Sequence, residues 1–294
     1  GIEGTGSYGA GLARHLTALG HQVIEVIRPN RQLRRLSGKS DPIDAYAAAR
    51  TALTESNQPT PKSGDGAIEQ IRYLFTARKS AIKARTAAQV QIKSLLVTAP
   101  TLLRERFRAM ADAALITSLA DFDIRPYPEH QGVVIALRAL ARRHRYITAE
   151  IHSLDQELNT LTEHTNPALI AASGVGSVTA AQLLITAGDN PDRLRSEAAF
   201  AALCGVSPIP ASSGKTHRHR LNRGGDRQAN SALHIIAIGR LRTDPRTQDY
   251  VAKKLSEGHS KMEALRSVKR YLAREMFYVL RARTEVINQT QIAA

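Results

Sequence analysis

Apolar residues recur at steps of three and four through most of this chain, and that period predicts a mainly helical protein. Leu12, Leu16 and Leu19 share one face of a helix expected from about residue 8 to 19, with Gly20 as its stop. The next segment has a different pattern. Gln22 to Ile27 is an apolar, β-branched run of the kind that forms a buried strand. Asp41-Pro42-Ile43-Asp44 then opens a helix that continues through the Ala-rich stretch to Leu53. Further on, Leu137, Leu140, His144, Ile147, Ile151, Leu154, Leu158 and Leu161 form a heptad seam broken once, at His144. Ile68, Ile71, Phe75, Ile82, Ile92 and Leu96 follow the same rhythm, with Arg78, Arg85 and Gln89 at seam positions between them. Two long helices with matching periods predict an antiparallel hairpin or an intermolecular coiled coil, and a plain helical-bundle core accounts for the pattern equally well. After Ser173 come a Gly-Val-Gly turn, an Ala/Leu helix ending near Gly188 and a helix over 196–203. A loop over 206–226 and three amphipathic basic helices complete the chain.

Breaks in this pattern suggest the domain organisation. Residues 1–57 carry the strand–helix alternation, and 58–66 is a linker with Pro59, Pro61, Gly64 and Gly66. Residues 67–165 form the coiled-coil region, and 166–294 form a helical C-terminal domain. The expected class is mostly α with a partial α/β domain at the N-terminal end.

Charge narrows the function. Among 294 residues, 41 Lys and Arg outweigh 26 Asp and Glu, a formal net charge of +15. Such a surface gains free energy by displacing counterions from a polyanion, which points to nucleic acid. No apolar run reaches the ~18 residues of a spanning helix, so no membrane segment is expected. No secretory signal opens the chain either, which predicts a cytoplasmic, nucleoid-associated protein. One cysteine, Cys204, rules out an internal disulfide and a cysteine-built zinc site. With no Trp and 4% aromatic residues, stacking on bases is not the main binding mode.

Four groups of residues carry candidate chemistry, each with a plainer structural reading beside it. Gly4-Thr5-Gly6-Ser7-Tyr8-Gly9 fits a dinucleotide fingerprint, with Glu25 near the position of a ribose-binding acid. No further strand–helix units follow, so glycines that let a helix pack close to a strand explain it better. Asp41 and Asp44 lie on one face of a first helical turn, behind a basic connector holding Arg28, Arg31, Arg34, Arg35 and Lys39. Helix capping and metal binding explain the pair equally well; with Glu3 at a strand end, the three carboxylates suit a two-metal Mg²⁺ site. Gly174 and Gly176 before an Ala-rich helix resemble a helix-hairpin-helix element whose backbone amides meet a phosphate, or else a simple packing joint. Ser212 and Ser213 head the densest basic stretch, with Lys215, Arg218, Arg220, Arg223 and Arg227. Those cations suit a phosphodiester attacked by serine, although Ser-Ser-Gly is also ordinary loop composition.

In this order, the motifs resemble those of DEDD transposases of the insertion-sequence-110 type, RNA-guided recombinases with a RuvC-like domain. The carrying segments are Gly1 to Gly9, Lys39 to Ala45, Gly174-Val175-Gly176, Ala198 to Pro208 and Ser212-Ser213-Gly214-Lys215. The resemblance implies a RuvC-like (RNase H-like) N-terminal domain, a coiled-coil insert and a C-terminal transposase domain. It further implies that Glu3, Asp41 and Asp44 are three of four Mg²⁺-binding carboxylates, and that Ser213, or Ser212 beside it, is the nucleophile. The implied partners are double-stranded DNA at element ends and target, a guide RNA and further copies of the chain in a homo-oligomer. The tetrad's first Asp is not among these residues, which predicts that it lies on an upstream strand and that the 294 residues alone are inactive. Two alternatives are a catalytically inactive, nucleic-acid-binding remnant and a junction-resolving nuclease that uses the carboxylates without a serine.

Overall fold

The computed structural model describes residues 1–26, 41–54, 59–190, 193–211, 219–220 and 222–292, and the side chains of these except Asp41 and 283–292. The basic connector over 28–39 lies outside the described residues. The chain is mostly helical and divides into two compact units, Gly1–Ile71 with Thr162–Ala294, and Arg72–Leu161.

The first unit begins with two short parallel strands, β1 (Ile2–Glu3) and β2 (Glu25–Val26), with Ile2 opposite Glu25 and Glu3 opposite Val26. The strand expected from residue 22 is therefore a ladder only at its end. Helix α1 (Ala10–Ala18) links the strands, and its approach explains the glycine motif. A Cβ at Gly9 would stand 2.7 Å from the carbonyl oxygen of Glu3, so any larger residue would push the helix off the strand. Close packing thus accounts for Gly9 and a φ of +64° for Gly4, and the described sheet has no third strand to build a dinucleotide fold. Helix α2 (Asp41–Thr54) also packs here, and a Cβ at Gly1 would meet the Ala48 carbonyl at 2.7 Å and the Ala52 methyl at 3.1 Å.

Residues 59–66 are pinned to the rest of this unit by hydrogen bonds. Asn190 Nδ2 donates to the Pro61 carbonyl at 2.8 Å, Ser63 N donates to Asn190 Oδ1 at 3.2 Å, and Lys62 Nζ donates to the Ile185 carbonyl. Asp189 then caps the start of α3 (Ala67–Thr98) by accepting from Ile68 N at 2.9 Å and Glu69 N at 3.2 Å.

In the second unit α3 and α6 (Gln131–Thr165) run antiparallel. Arg78 pairs with Asp155, Ala81 packs with Ile147 and Ile151, and Ile92 shares a cluster with Leu137 and Ala141. Position numbers rise along one helix as they fall along the other. The polar seam position Arg78 is occupied because its guanidinium finds Asp155 across the pair. At one end, α4 (Thr101–Phe107) and α5 (Asp112–Ala120) close the hairpin around Leu103, Phe107, Leu119 and Phe122.

The remaining helices belong to the first unit: α7 (Pro167–Ala171), α8 (Ser177–Ala187), α9 (Glu197–Leu203), α10 (Arg227–Thr243), α11 (Pro245–Ser256) and α12 (Lys261–Ile292). Helix α8 is apolar nearly all round and is accordingly buried, with Ala180, Ala181, Leu183 and Leu184 fully inside. It packs on α10, and α10 packs on α12. Phe200 of α9 meets Phe277 of α12 with ring centroids 6.3 Å apart.

Candidate active site and nucleic-acid interface

The serine-bearing segment leaves the helical core at Gly205 and returns at Gly225. Gly205 has φ +63°, and a Cβ there would stand 2.5 Å from the Gly224 carbonyl. Gly225 has φ +81°, and its Cβ would stand 2.5 Å from the Leu203 carbonyl. Only glycine at both positions lets the outgoing and incoming backbones cross this closely. Asp226 then locks the return. Its N–H donates to the Leu203 carbonyl at 2.6 Å, and its carboxylate accepts from Gln228 N at 2.8 Å, Ala229 N at 3.3 Å and Thr186 Oγ1 at 2.8 Å. On the other side Asn230 Nδ2 donates to the carbonyls of Cys204 and Gly205, each at 3.0 Å, while Lys269 Nζ donates to Asn230 Oδ1 at 2.9 Å. The sequence showed the glycines but not this lock, because its partners come from four helices.

Above the lock, β3 (Ile209–Pro210) and β4 (His219–Arg220) form an antiparallel ladder, with Ile209 opposite Arg220 and Pro210 opposite His219. This ladder interrupts what the composition predicts as plain loop. Ser212, Ser213, Lys215 and Arg218 fall between the two strands and lie outside the described residues. Arg220, Arg223 and Arg227 are described and exposed, Arg227 as the first residue of α10. Cys204, at the foot of the segment, is no rival nucleophile. Burial pushes its thiol up to about 12, so it stays protonated at neutral pH.

The Gly174–Gly176 turn is exposed on one side and packed on the other. Gly174 has φ +75°, and a Cβ there would come 3.0 Å from the Arg240 side chain and 3.2 Å from the Ile236 carbonyl. Arg240 is buried, donates from Nε to the Ser173 carbonyl at 2.7 Å, and grips Glu275 through both terminal nitrogens at 2.7 and 2.6 Å. The packing joint therefore explains Gly174. Nothing stands within 4 Å of a Cβ at Gly176, whose N–H donates to Thr179 Oγ1 at 3.0 Å.

Of the three carboxylates, Glu3 is half-buried at the end of β1 and Asp44 half-buried on α2. Asp44 lies one turn before Ala48, the residue packed on the strand, so it belongs to the stripe that faces the sheet. Asp41 starts the same stripe, and its side chain is outside the described ones. Among the described residues no three His, Cys, Asp or Glu side chains are grouped as a metal site. The carboxylates present are hard oxygen donors on neighbouring elements, the ligand type that suits Mg²⁺. Among the described residues no helix is long and apolar enough to cross a membrane.

Two segments of the chain match known transposase families. Residues 1–99, holding the three carboxylates, match the DEDD transposase domain of the IS110 type. Residues 167–252, holding the glycine turn and the serine segment, match the transposase IS116/IS110/IS902 family. The transposase for insertion sequence element IS1328 of Yersinia enterocolitica is 27% identical over 268 residues, 86% of this chain and 75% of that protein. An uncharacterised 43.6 kDa protein of insertion element IS110 from Streptomyces coelicolor is 30% identical over 150 residues, half of this chain and 37% of the relative. A 42 kDa protein of insertion element IS900 from Mycobacterium paratuberculosis is 24% identical over 240 residues, 78% of this chain and 60% of the relative. The chain thus spans between about a third and three quarters of the relatives it matches. Through two matched segments that together make up more than half its length, this chain belongs to the IS110-type transposase family.

Proposed function

We propose that this protein carries out DNA transposition by serine-mediated strand transfer. The observation that carries the reading is the locked base at Gly205, Gly225 and Asp226. It holds a basic, serine-bearing segment on a rigid core within the stretch matched to the transposase family. A nucleophile needs a fixed approach more than it needs a low pKa, and the lock fixes the two points between which the segment runs. In the proposed step Ser213 Oγ, or Ser212 Oγ, attacks a DNA phosphorus. A serine–phosphate bond forms, one P–O bond of the strand breaks, and the departing sugar hydroxyl keeps the proton equivalent lost by the serine. Lys215, Arg218, Arg220, Arg223 and Arg227 hold the flanking phosphates, and the exposed turn of Gly174 and Gly176 at the start of α8 adds a further contact.

Glu3, Asp41 and Asp44 would hold a divalent cation in the RuvC-like domain. When bound, Mg²⁺ supplies positive charge that offsets the charge building on the phosphodiester oxygens. The carboxylates' own role is to fix that charge at the sheet end. A guide RNA is a second polyanion fitting the +15 surplus, and assembly into a homo-oligomer would bring two sites to two DNA ends. The protein would act on chromosomal DNA in the cytoplasm.

The test is to incubate the full-length gene product with Mg²⁺, element-end DNA and any co-purified RNA, then digest and look for DNA linked to serine by mass spectrometry. An adduct on the peptide holding Ser213 that disappears in Ser213→Ala is expected. An adduct surviving in Ser213→Ala but lost in Ser212→Ala moves the role to Ser212. Nicked DNA without adduct would replace this reading with the junction-resolving nuclease, and binding without cleavage with the inactive remnant.

A further inference from the structure

Beneath the serine segment lies a concavity of about 670 Å³, walled by the foot of the segment, the α11–α12 turn and one face of α12. Its volume falls within the ~300–1,000 Å³ of small-ligand sites, suited to one nucleotide rather than a paired helix. Its charge is biased. Glu257 and Glu263 both line it, but Lys254 bonds the first at 2.6 Å and Ser260 N and Oγ bond the second at 2.9 and 2.8 Å. On the cationic side are Arg220, which has no carboxylate partner among the described residues, and Lys269. Lys269 is buried to 8% exposure and gives one of its three hydrogens to Asn230. Burial, together with the neighbouring Arg266 guanidinium, draws the pKa of that amine below its usual value, so an incoming anion would relieve it.

The same cleft holds an aromatic pair. Tyr250 and Tyr271 meet edge to face with centroids 5.5 Å apart, and Tyr271 keeps 59% of its surface exposed. A cation pair beside an exposed ring provides both halves of nucleotide recognition, phosphate contact and base stacking. Low overall aromatic content argues against stacking along a whole strand, and a single ring placed in a pocket does not conflict with it.

We propose that this cleft takes one unpaired nucleotide of the DNA engaged by the serine segment, its base on Tyr271 and its phosphate between Arg220 and Lys269. The inference rests on the reading that the segment above engages DNA. It adds that the strand is locally unpaired beside the reacting phosphate, and that this protein stabilises the extruded base.

The experiment compares two duplexes of one sequence, one fully paired and one carrying a single bulged 2-aminopurine. Affinity is followed by anisotropy and base environment by 2-aminopurine emission. The bulged duplex should bind about tenfold more tightly, and its emission should fall on binding as the base stacks. Tyr271→Ala should remove both the preference and the quenching while leaving affinity for the paired duplex unchanged, and Tyr271→Phe should retain both. Circular dichroism and thermal melting check that both variants keep the parent fold after the Tyr250 contact is changed. Equal affinity for the two duplexes, binding to neither, or a preference that survives Tyr271→Ala overturns the proposal. Ser213→Ala should keep the preference. A missing serine adduct alongside an intact preference would refute the catalytic reading and leave the pocket standing, and the opposite pair of results would refute the pocket alone.

Discussion

His144 shows at the residue scale how a single polar side chain sets a pH limit. It occupies a seam position of α6, half-buried, with Arg85 and Asp112 as its charged neighbours. Burial first, and then the Arg85 charge, hold its pKa below the ordinary 6.5, against a smaller upward pull from Asp112. The folded protein therefore prefers the neutral ring, while the unfolded chain takes up a proton near the ordinary value. The resulting stabilisation is complete above pH ~6.5 and is lost as pH falls through the lowered native pKa. Amide exchange along the middle of α6 should accelerate as pH falls below ~6.5, after correction for intrinsic rates. His144→Leu should remove that acceleration, and an unchanged profile in the variant would assign it to another group. The sequence revealed the polar break, but its neighbours Arg85 and Asp112 belong to other helices.

At the scale of elements, the crossing of Gly205 and Gly225 matters more than the short ladder it supports. Gly224 and Gly225 are adjacent and identical in sequence, yet they differ physically. Gly225 combines φ +81° with a Cβ position 2.5 Å from a carbonyl oxygen, whereas at Gly224 the nearest group is the Asn222 side chain at 3.2 Å. An L-residue in the left-handed region costs about 1 kcal/mol before any overlap, and backbone oxygen cannot move aside cheaply. Gly225→Ala should therefore lower the melting temperature by several degrees and reduce serine–DNA adduct. Gly224→Ala should change either quantity little. Equal effects of the two would mean that the crossing does not hold the segment. Helical periods were legible in the sequence for α3 and α6, and pairing within one chain followed from tertiary contacts such as Arg78 with Asp155 and Ala81 with Ile147.

For the whole molecule, the governing quantity is the excess of 41 cationic over 26 acidic residues. Some of the cations are engaged inside the fold, and pairing with an acid leaves the excess itself unchanged. Arg240 is spent on Glu275, and Arg193 bonds the carbonyls of Thr60, Thr186 and Ala187 and approaches Glu25 at 3.9 Å. Arg220 and Arg223 remain exposed. Replacing both with Ala should flatten the dependence of log affinity on log salt by about 0.9 for each lost phosphate contact on duplex DNA. Sequence preference should change little, because such contacts position a protein without reading bases. A slope equal to that of the parent protein would remove β4 and its surroundings from the interface.

Local and periodic properties were determined by the sequence alone. It specified the helices, the cationic excess, the carboxylates on one helical stripe and the glycines near the serine segment. These follow from neighbours a few residues apart, or from sums that ignore position. Tertiary structure decided what each of them meets. It showed that Gly9 is required by a strand carbonyl, that Gly174 is seated on α10, and that residues 59–66 are fastened to α8. It also brought Arg220, Lys269 and Tyr271 to one cleft. Apart from the approach of Gly9 to Glu3, those contacts join residues tens to more than a hundred positions apart, and close packing of side chains, which no periodicity encodes, selects them.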